Sequence, residues 1–208
     1  MSSRGRRAYA GKRREEGAAA NRERVLEAAR ALFTRRGIDA VTLAELAERA
    51  KVSVSTVYAV FKSKEGVLQA LMESALFGQR YRAASARLDE VSDPVEQIAM
   101  TAAVARAIYE SESAELGLMR GASAFSPSLR KMEQRFEATR FAMQEARVKN
   151  LYAKGRAKKA LPLDKARRLL WMYTGREVYR LLAQEGAWTA DEYEEWLAET
   201  LVAALVER

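Results

Sequence analysis

The sequence contains neither cysteine nor histidine. Without them the chain forms no disulfide, has no thiol nucleophile and lacks the imidazole base of a Ser-His-Asp triad. Zinc sites built from cysteine and histidine are excluded as well. No glycine-rich phosphate loop or convincing carboxylate cluster is present, so we expect no metal, no cofactor and no enzymatic activity. The absence of cysteine fits the cytoplasm, the compartment that we expect.

Proline is also scarce, and long apolar runs are missing. The three prolines are Pro94, Pro127 and Pro162, and the sequence between them is rich in alanine, leucine, glutamate and arginine, which favour helices. No apolar run reaches the ~18 residues needed to cross a bilayer, so a membrane is not an expected partner. The basic N-terminus precedes no apolar stretch and does not resemble a secretory signal. With 49% hydrophobic residues to build a core, an all-α protein is predicted.

The positive charge is confined to one part of the chain. Residues 1 to 64 hold 15 basic and 7 acidic residues, whereas residues 65 to 208 hold 21 of each, so the first third carries the whole net charge of +8. A local positive field suits a domain that binds a polyanion, because neutralising phosphates releases condensed counterions. A basic tail that only improves solubility is the alternative.

Four predicted helices follow within this basic third. Apolar residues recur at helical spacing from Asn21 to Arg36, and Gly37 ends that helix. A second helix begins with the capping box Thr42 to Glu45 and ends near Ala50. Residues 51–53 form a turn, a short third helix covers 54–60, and Ser63 caps a long fourth helix. Two short helices joined by such a turn are typical of a DNA-binding helix-turn-helix.

The third helix has the side chains of a recognition helix. Val57 and Phe61 are spaced to face inward, which leaves small polar and methyl-bearing side chains for a major groove. Thr42 and Lys64 lie at helix N-termini, where free amides and the helix dipole favour a phosphate. Phe61 alone is best interpreted as core, and the serines are caps whether or not they touch DNA. The predicted outward-facing residues are Val54, Ser55, Thr56, Tyr58 and Ala59.

These motifs resemble the N-terminal domain of the TetR family of bacterial transcriptional regulators. The similarity extends over residues 21–75 and includes Ala28 to Phe33, Gly37, Thr42 to Ala47, Val52 to Tyr58 and Phe61 to Glu65. Lys51 stands where many members have glycine, and Ala59-Val60 replaces a pair that is often aromatic or basic. The resemblance implies DNA contacts, mostly to phosphates, from Thr42, Ser53, Ser55, Thr56, Tyr58 and Lys64, and contacts to base edges from Val54 and Ala59.

Three regions are predicted, with about nine helices in all. Residues 1–20 are expected to form a flexible basic arm, residues 21–75 the DNA-binding domain, and residues 76–208 a helical body for dimerisation and effector binding. Within the body, helices are expected to start at Pro94, at Pro127 (to about Tyr152), at Leu163 (to about Glu185) and after Thr189. The basic stretch from Arg147 to Arg168 is interpreted as a solvated loop, with a secondary nucleic-acid contact as the alternative.

The resemblance also implies a homodimer and a pocket for a small molecule in the body. Apolar sides of the last two helices favour a four-helix bundle between two subunits, although they could instead pack within one chain. Pocket candidates are aromatic and arginine residues near apolar faces, for which an ordinary core or surface role is the alternative. They are Arg106, Tyr109, Met119, Phe141, Trp171 and Arg176.

The function predicted from the sequence is a cytoplasmic, homodimeric repressor that binds a double-stranded palindromic operator. A small effector would favour the form that does not bind DNA and so release it. The main alternative is a nucleoid or division-associated DNA-binding protein without an effector. The two differ in their preference for operator over random DNA.

Overall fold

A computed structural model of the chain describes residues 3–110 and 127–207, with the side chains of 3–15, 75–76 and 127–129 left aside. These residues form helices and no strand, which confirms the all-α prediction. One isolated antiparallel bridge joins Ala157 to Val206. It ties the C-terminal end to the loop that precedes residue 163, since Lys158 N donates to Leu205 O at 3.0 Å.

The described residues divide into two compact units, the first with residues 3–74 and 127–129 and the second with residues 75–110 and 130–207. The first unit contains α1 (Ser3–Arg36), α2 (Leu43–Ala50), α3 (Val54–Phe61) and most of α4 (Lys64–Leu76). The helices α1, α2 and α3 pack against one another. Their contact surfaces are the predicted apolar stripe of α1 and the inner faces of the two short helices. The buried side chains are Val25, Ala28, Ala29, Leu32, Phe33, Leu46, Ala47, Val57 and Phe61.

The basic segment at the start of the chain differs from the prediction. We expected a flexible arm over residues 1–20, but α1 begins at Ser3 and continues to Arg36. Alanine, arginine, lysine and glutamate dominate this segment, and their helical preference offsets the cost of its three glycines. Continuity with the packed half of α1 adds no new nucleation cost.

The second unit is built around one central helix, α6 (Pro94–Glu110). It packs against α5 (Gln79–Asp89), α8 (Glu145–Ala153), α10 (Arg176–Tyr179) and α11 (Ala190–Leu205). The unit also contains most of α7 (Pro127–Met143), α9 (Leu163–Tyr173) and the π-helical turn Arg180–Glu185 that continues α10. The predicted capping box of α11 is confirmed by reciprocal bonds between Thr189 and Glu192.

Three predicted helices are interrupted in the structure. The fourth helix breaks at residues 77–78, the helix after Pro127 breaks at Gln144, and the helix after Pro162 breaks at Thr174 and Gly175. Thr174 Oγ1 donates to the carbonyl of Leu170 at 2.7 Å, a local bond that competes with the helical ladder. Residues at these breaks then meet in the interior of the second unit, a tertiary effect that no local pattern carries.

Within residues 3–110 and 127–207, no helix is both long and apolar enough to cross a membrane. The same part of the chain holds no group of three or more aspartate and glutamate side chains arranged to ligate a metal ion.

Candidate nucleic-acid interface

The short helix α3 packs against the first unit with its inner side and exposes its outer side to solvent. Val57 and Phe61 are buried against the rest of the first unit. Ser53 caps the helix, because its hydroxyl accepts a hydrogen bond from Thr56 N at 3.1 Å. The chain therefore fixes α3 by its apolar side and its N-cap, which leaves the other side free of packing.

The outer side of α3 carries the residues that were predicted to face outward. Val54 is 47% exposed and Tyr58 is 60% exposed. Ser55 and Ala59 are exposed as well, and Thr56 is partly buried. Val54 and Tyr58 are four positions apart on the helix, so their exposed apolar surfaces lie side by side on its outer face.

Three hydroxyl groups cluster at the N-terminus of α3. Ser53 Oγ lies 2.8 Å from Ser55 Oγ and 2.7 Å from Thr56 Oγ1. Hydroxyls both donate and accept and their protons rotate, so such a cluster can redirect a donor toward a phosphate or a base edge. A helix N-terminus adds its partial positive charge at the same place.

A capping box orders the N-terminus of α2. Thr42 N donates to Glu45 Oε2 at 2.8 Å, and Glu45 N donates to Thr42 Oγ1 at 3.2 Å. The Arg36 guanidinium donates to the other carboxylate oxygen at 2.7 Å. The Thr42 backbone bond and then Arg36 lower the pKa of Glu45 from 4.5 to about 2. Thr42 is thus held in place, exposed, at the start of the helix-turn-helix.

Two lysines lie near the same surface. Lys51 caps the end of α2 in the left-handed conformation, with φ 54°, which is a position that favours glycine. Lys64 begins α4, and its Nζ donates to the carbonyl of Asp39 at 3.3 Å. Lys51 precedes α3 in the chain and Lys64 follows it. Their positive charges suit contacts to phosphate groups.

Gly66 is a structural residue that the sequence reasoning missed. A Cβ placed on Gly66 would lie 1.9 Å from the carbonyl oxygen of Phe61. The first turn of α4 can therefore approach the end of α3 only because residue 66 has no side chain. A glycine in the first turn of an otherwise good helix former was the available indication.

The second unit contains a separate cavity. Its free volume is about 30 Å³, room for a few water molecules, and it is partly open to solvent. Its walls combine apolar side chains with a few polar ones, the usual composition of a small-molecule site. The lining residues are Phe77, Tyr81, Thr101, Val104, Ala105, Ile108, Arg140, Met143, Gln144, Arg147 and Thr174.

The candidate ligand residues that lie in the described part of the chain are not among those lining this cavity. Arg106 is bound to Asp191 at 2.5 Å and Glu194 at 2.9 Å, in contacts that join α6 to α11. Tyr109 is buried, and its hydroxyl donates to the carbonyl of Thr174 at 2.9 Å. Arg176 also has a polar partner. Arg106 and Tyr109 are therefore occupied in holding the unit together.

The aromatic candidates lie among arginines. The guanidinium of Arg167 lies 4.4 Å from the ring centre of Phe141, and that of Arg140 lies 5.0 Å from the ring centre of Trp171. Such cation–π contacts stabilise helix packing. Met119, the remaining candidate, lies outside the described residues.

The basic stretch from Arg147 to Arg168 is not simply a solvated loop. Arg147 and Lys149 belong to α8, and Arg167 and Arg168 belong to α9. Arg147 lines the cavity. The prediction failed because an arginine stem is long enough to be buried by a neighbouring helix while sequence alone assigns it to the surface.

The first unit matches a known protein family. The family described as "Bacterial regulatory proteins, tetR family" matches residues 25–71. An uncharacterized HTH-type transcriptional regulator of Bacillus subtilis (strain 168), YvkB, is 42% identical over 50 residues. That match spans 24% of this chain and about a quarter (26%) of the curated relative.

Solved structures extend the likeness to most of the chain at the level of the fold. A transcriptional regulator from Saccharomonospora viridis in complex with choline has a TM-score of 0.67 and 18% identity, with 90% of this chain and 98% of that chain covered. A TetR-family regulator from Syntrophomonas wolfei has a TM-score of 0.71 and 17% identity, with 87% and 92% covered.

Fold and surface together define an all-helical protein with an N-terminal helix-turn-helix domain of the DNA-binding class. This domain is similar to that of the tetR family of bacterial regulatory proteins. The family that this domain matches is one of bacterial regulatory proteins.

Proposed function

We propose that this TetR-family regulator represses transcription by binding a palindromic operator as a homodimer. The exposed outer side of α3 carries the proposal, because it combines a clustered hydroxyl N-terminus with the accessible side chains of Val54 and Tyr58. Helix-turn-helix proteins place such a helix in the major groove. The basic residues of 1–64 supply the attraction to phosphates.

Contacts to bases and contacts to phosphates are assigned to different residues. Val54 and Ala59 have only methyl groups to offer, which can touch the methyl group of thymine. Thr42, Ser53, Ser55, Thr56, Tyr58 and Lys64 have hydroxyl or ammonium groups that suit phosphate oxygens. Because few groups read bases, specificity depends on two copies of α3 reading two half-sites about 34 Å apart.

A homodimer is supported by apolar surface in the second unit. Met172 at the end of α9 is 46% exposed, and Leu181 in the π-helical turn is 53% exposed. The inner residues of α11 that the sequence also offered for an interface, such as Leu197 and Leu201, are buried within the unit. The proposed interface therefore uses the outer residues of α9 and of the π-helical turn.

Regulation by an effector is the third part of the proposal. The cavity of the second unit has apolar walls and several polar groups, and the neighbour with 18% identity is described in complex with choline, which supports a small-molecule site in this fold. A ligand that binds more tightly to the form that does not bind DNA lowers operator affinity. The largest possible effect is the difference in the ligand's binding free energy between the two forms.

Selection of duplexes from a random pool at about 0.15 M salt tests the proposal, because weak salt masks specificity. A palindrome bound at least about 10³-fold more tightly than random DNA is expected. A specificity ratio near one would overturn the repressor and favour the nucleoid-type alternative.

Two substitutions refine that test. Tyr58→Phe removes one hydroxyl and is expected to weaken binding about fivefold on every sequence, as for a phosphate contact. Val54→Ala is expected to change the selected bases instead. Tyr173→Phe in the second unit makes the same chemical change away from α3 and should leave binding unchanged.

A further inference from the structure

We infer that the cavity of the second unit binds a small, apolar carboxylic acid that carries a hydroxyl group, held by Arg147 and Gln144. The inference rests on the proposed effector role of this cavity and specifies its ligand. Two polar groups of opposite hydrogen-bonding character, left without partners at one wall, define what the ligand has to supply.

Gln144 provides a buried acceptor. Its Nε2 donates to Thr174 Oγ1 at 2.8 Å. The amide orientation is set by Thr174, whose own proton goes to the carbonyl of Leu170 at 2.7 Å and whose oxygen also accepts from Arg140 at 3.0 Å. Gln144 therefore donates to this oxygen, and its Oε1 is left buried with no hydrogen-bond partner in the described part of the chain. A buried carbonyl without a donor costs free energy that a ligand hydroxyl can recover.

Arg147 provides a donor one helical turn further along the same wall. Residues at i and i+3 of a helix face the same side, and both Gln144 and Arg147 line the cavity. Burial lowers the pKa of Arg147, while Tyr81 and Asp89 act in the opposite direction. Among the described residues no carboxylate lies within the 4.0 Å of an ion pair with it. Arginine stays protonated all the same, so the partly buried cation has only the more distant charge of Asp89 near it and no carboxylate in direct contact.

The other residues that line the cavity indicate the charge of the ligand and the shape of its apolar part. Two arginines and no acidic residue line the cavity. Arg140 forms an ion pair with Glu137 at 2.7 Å and donates to the Trp171 carbonyl at 2.7 Å. Of the two arginines in the lining, Arg147 is therefore the one available to bind an anion. The apolar lining residues include Phe77, Val104, Ile108 and Met143. A carboxylate matches Arg147 and a hydroxyl donor matches Gln144 Oε1, while an aromatic or branched aliphatic body matches the apolar walls and enters once their side chains move to enlarge the cavity.

Calorimetry on the full chain without DNA tests the ligand class. The probes are 4-hydroxybenzoate, benzoate and 2-hydroxy-4-methylpentanoate, with the methyl ester of each acid. We expect each acid to bind at least about tenfold more tightly than its ester, since a charge-assisted bond to Arg147 is lost in the ester. We also expect 4-hydroxybenzoate to bind several-fold more tightly than benzoate. Failure of every probe to bind, or equal binding of acid and ester, overturns the inference.

Two variants locate the effect. Arg147→Met should bring the ratio of acid to ester affinity close to one, and Gln144→Met should remove the preference for 4-hydroxybenzoate over benzoate. Arg135→Met, at an exposed position of α7, should keep both preferences. These ratios compare ligands on one protein, so a modest loss of stability in a variant does not affect them. An acid preference that survives in Arg147→Met refutes the assignment.

A separate measurement keeps the two proposals apart. The selected operator is titrated with the full chain in the presence and absence of the best acid. Acid binding without a change in operator affinity would sustain the ligand class and overturn the effector role. Specific operator binding by a chain that binds none of the acids would overturn the ligand class and leave the operator-binding proposal intact.

Discussion

Lys51 shows how one residue is placed against its conformational preference. Its φ of 54° is left-handed, as is the φ of 58° of Ala187 in the second unit. Such a conformation costs a residue with a Cβ about 1 kcal/mol relative to glycine. The Lys51 side chain places a positive charge just before α3 in the chain. We propose that a contact of this charge with a DNA phosphate offsets the strain.

Replacing Lys51 by glycine should therefore separate stability from binding. We expect Lys51→Gly to raise the free energy of unfolding by up to about 1 kcal/mol. It should also reduce the slope of log affinity against log salt by about 0.9, the loss of one phosphate contact. Urea unfolding and operator titration at several salt concentrations measure the two effects. Ala187→Gly is the matched control, with a gain in stability and an unchanged salt slope. An unchanged slope in Lys51→Gly would remove Lys51 from the interface.

Gly66 is placed by close packing. A methyl group at this position would meet the Phe61 carbonyl at 1.9 Å, so α3 or α4 would have to move. We expect Gly66→Ala to destabilise the chain by about 2 kcal/mol and to weaken operator binding. Gly17→Ala, where nothing lies within 4 Å in a helix, should instead stabilise by about 0.5–1 kcal/mol. Thermal unfolding compares the two, and equal shifts of the same sign would contradict this account.

At the scale of a helix, the start of α2 depends on an ionised carboxylate. Glu45 accepts from Thr42 and from Arg36, and its pKa falls from 4.5 to about 2. A group whose pKa is lower in the folded state stabilises the fold above its unfolded pKa. That contribution is lost as the pH falls from about 4.5 to about 2.

Acid should therefore loosen α2 as the pH falls from about 4.5 to about 2. We expect amide hydrogen exchange in α2 to accelerate as the pH falls through this window, relative to the intrinsic rate. Glu45→Gln should exchange faster at neutral pH and show less additional change with acid. Glu48→Gln, on the same helix without a cap contact, is the control and should follow the unmodified chain. A parallel response of the two variants would show that the cap does not hold α2.

For the whole molecule, the decisive question is whether two chains associate through the second unit. Leu181 is a large apolar side chain with 53% of its surface exposed. A lysine there would be desolvated in the proposed interface, so Leu181→Lys should weaken dimerisation at least tenfold. Operator affinity should fall with it, because one copy of α3 reads only a half-site.

Sedimentation velocity and operator titration measure this effect. Gln184→Lys introduces the same charge at an exposed position of the same π-helical turn and should have little effect on either. A monomer–dimer equilibrium that is the same in both variants would place the interface elsewhere.

Much of the first unit could be predicted because its determinants are local. The stripe of α1, Gly37 with φ 77°, the Thr42 capping box and the Ser53 cap all depend on residues a few positions apart. The outward exposure of Val54 and Tyr58 follows from helical periodicity once Val57 and Phe61 are assigned to the core. Gly66 was missed because its reason is a contact with Phe61 across a helix boundary.

The second unit was predicted only in outline. Helix starts at Pro94 and Leu163 followed from caps and prolines, but the breaks at Gln144 and Thr174 did not. Those breaks are stabilised by hydrogen bonds between helices, such as Gln144 to Thr174 across 30 positions. Arginine side chains added a second difficulty, since Arg106 joins α6 to α11 while Arg147 lines a cavity.

The sequence alone determined the all-helical class, the helix-turn-helix and its family, because helix propensity, caps and spacing act over a few residues. Only the tertiary structure decided that Arg147 and Gln144 face one cavity with unsatisfied polar groups. That outcome depends on which distant side chains already occupy the available donors and acceptors, and no local pattern records it.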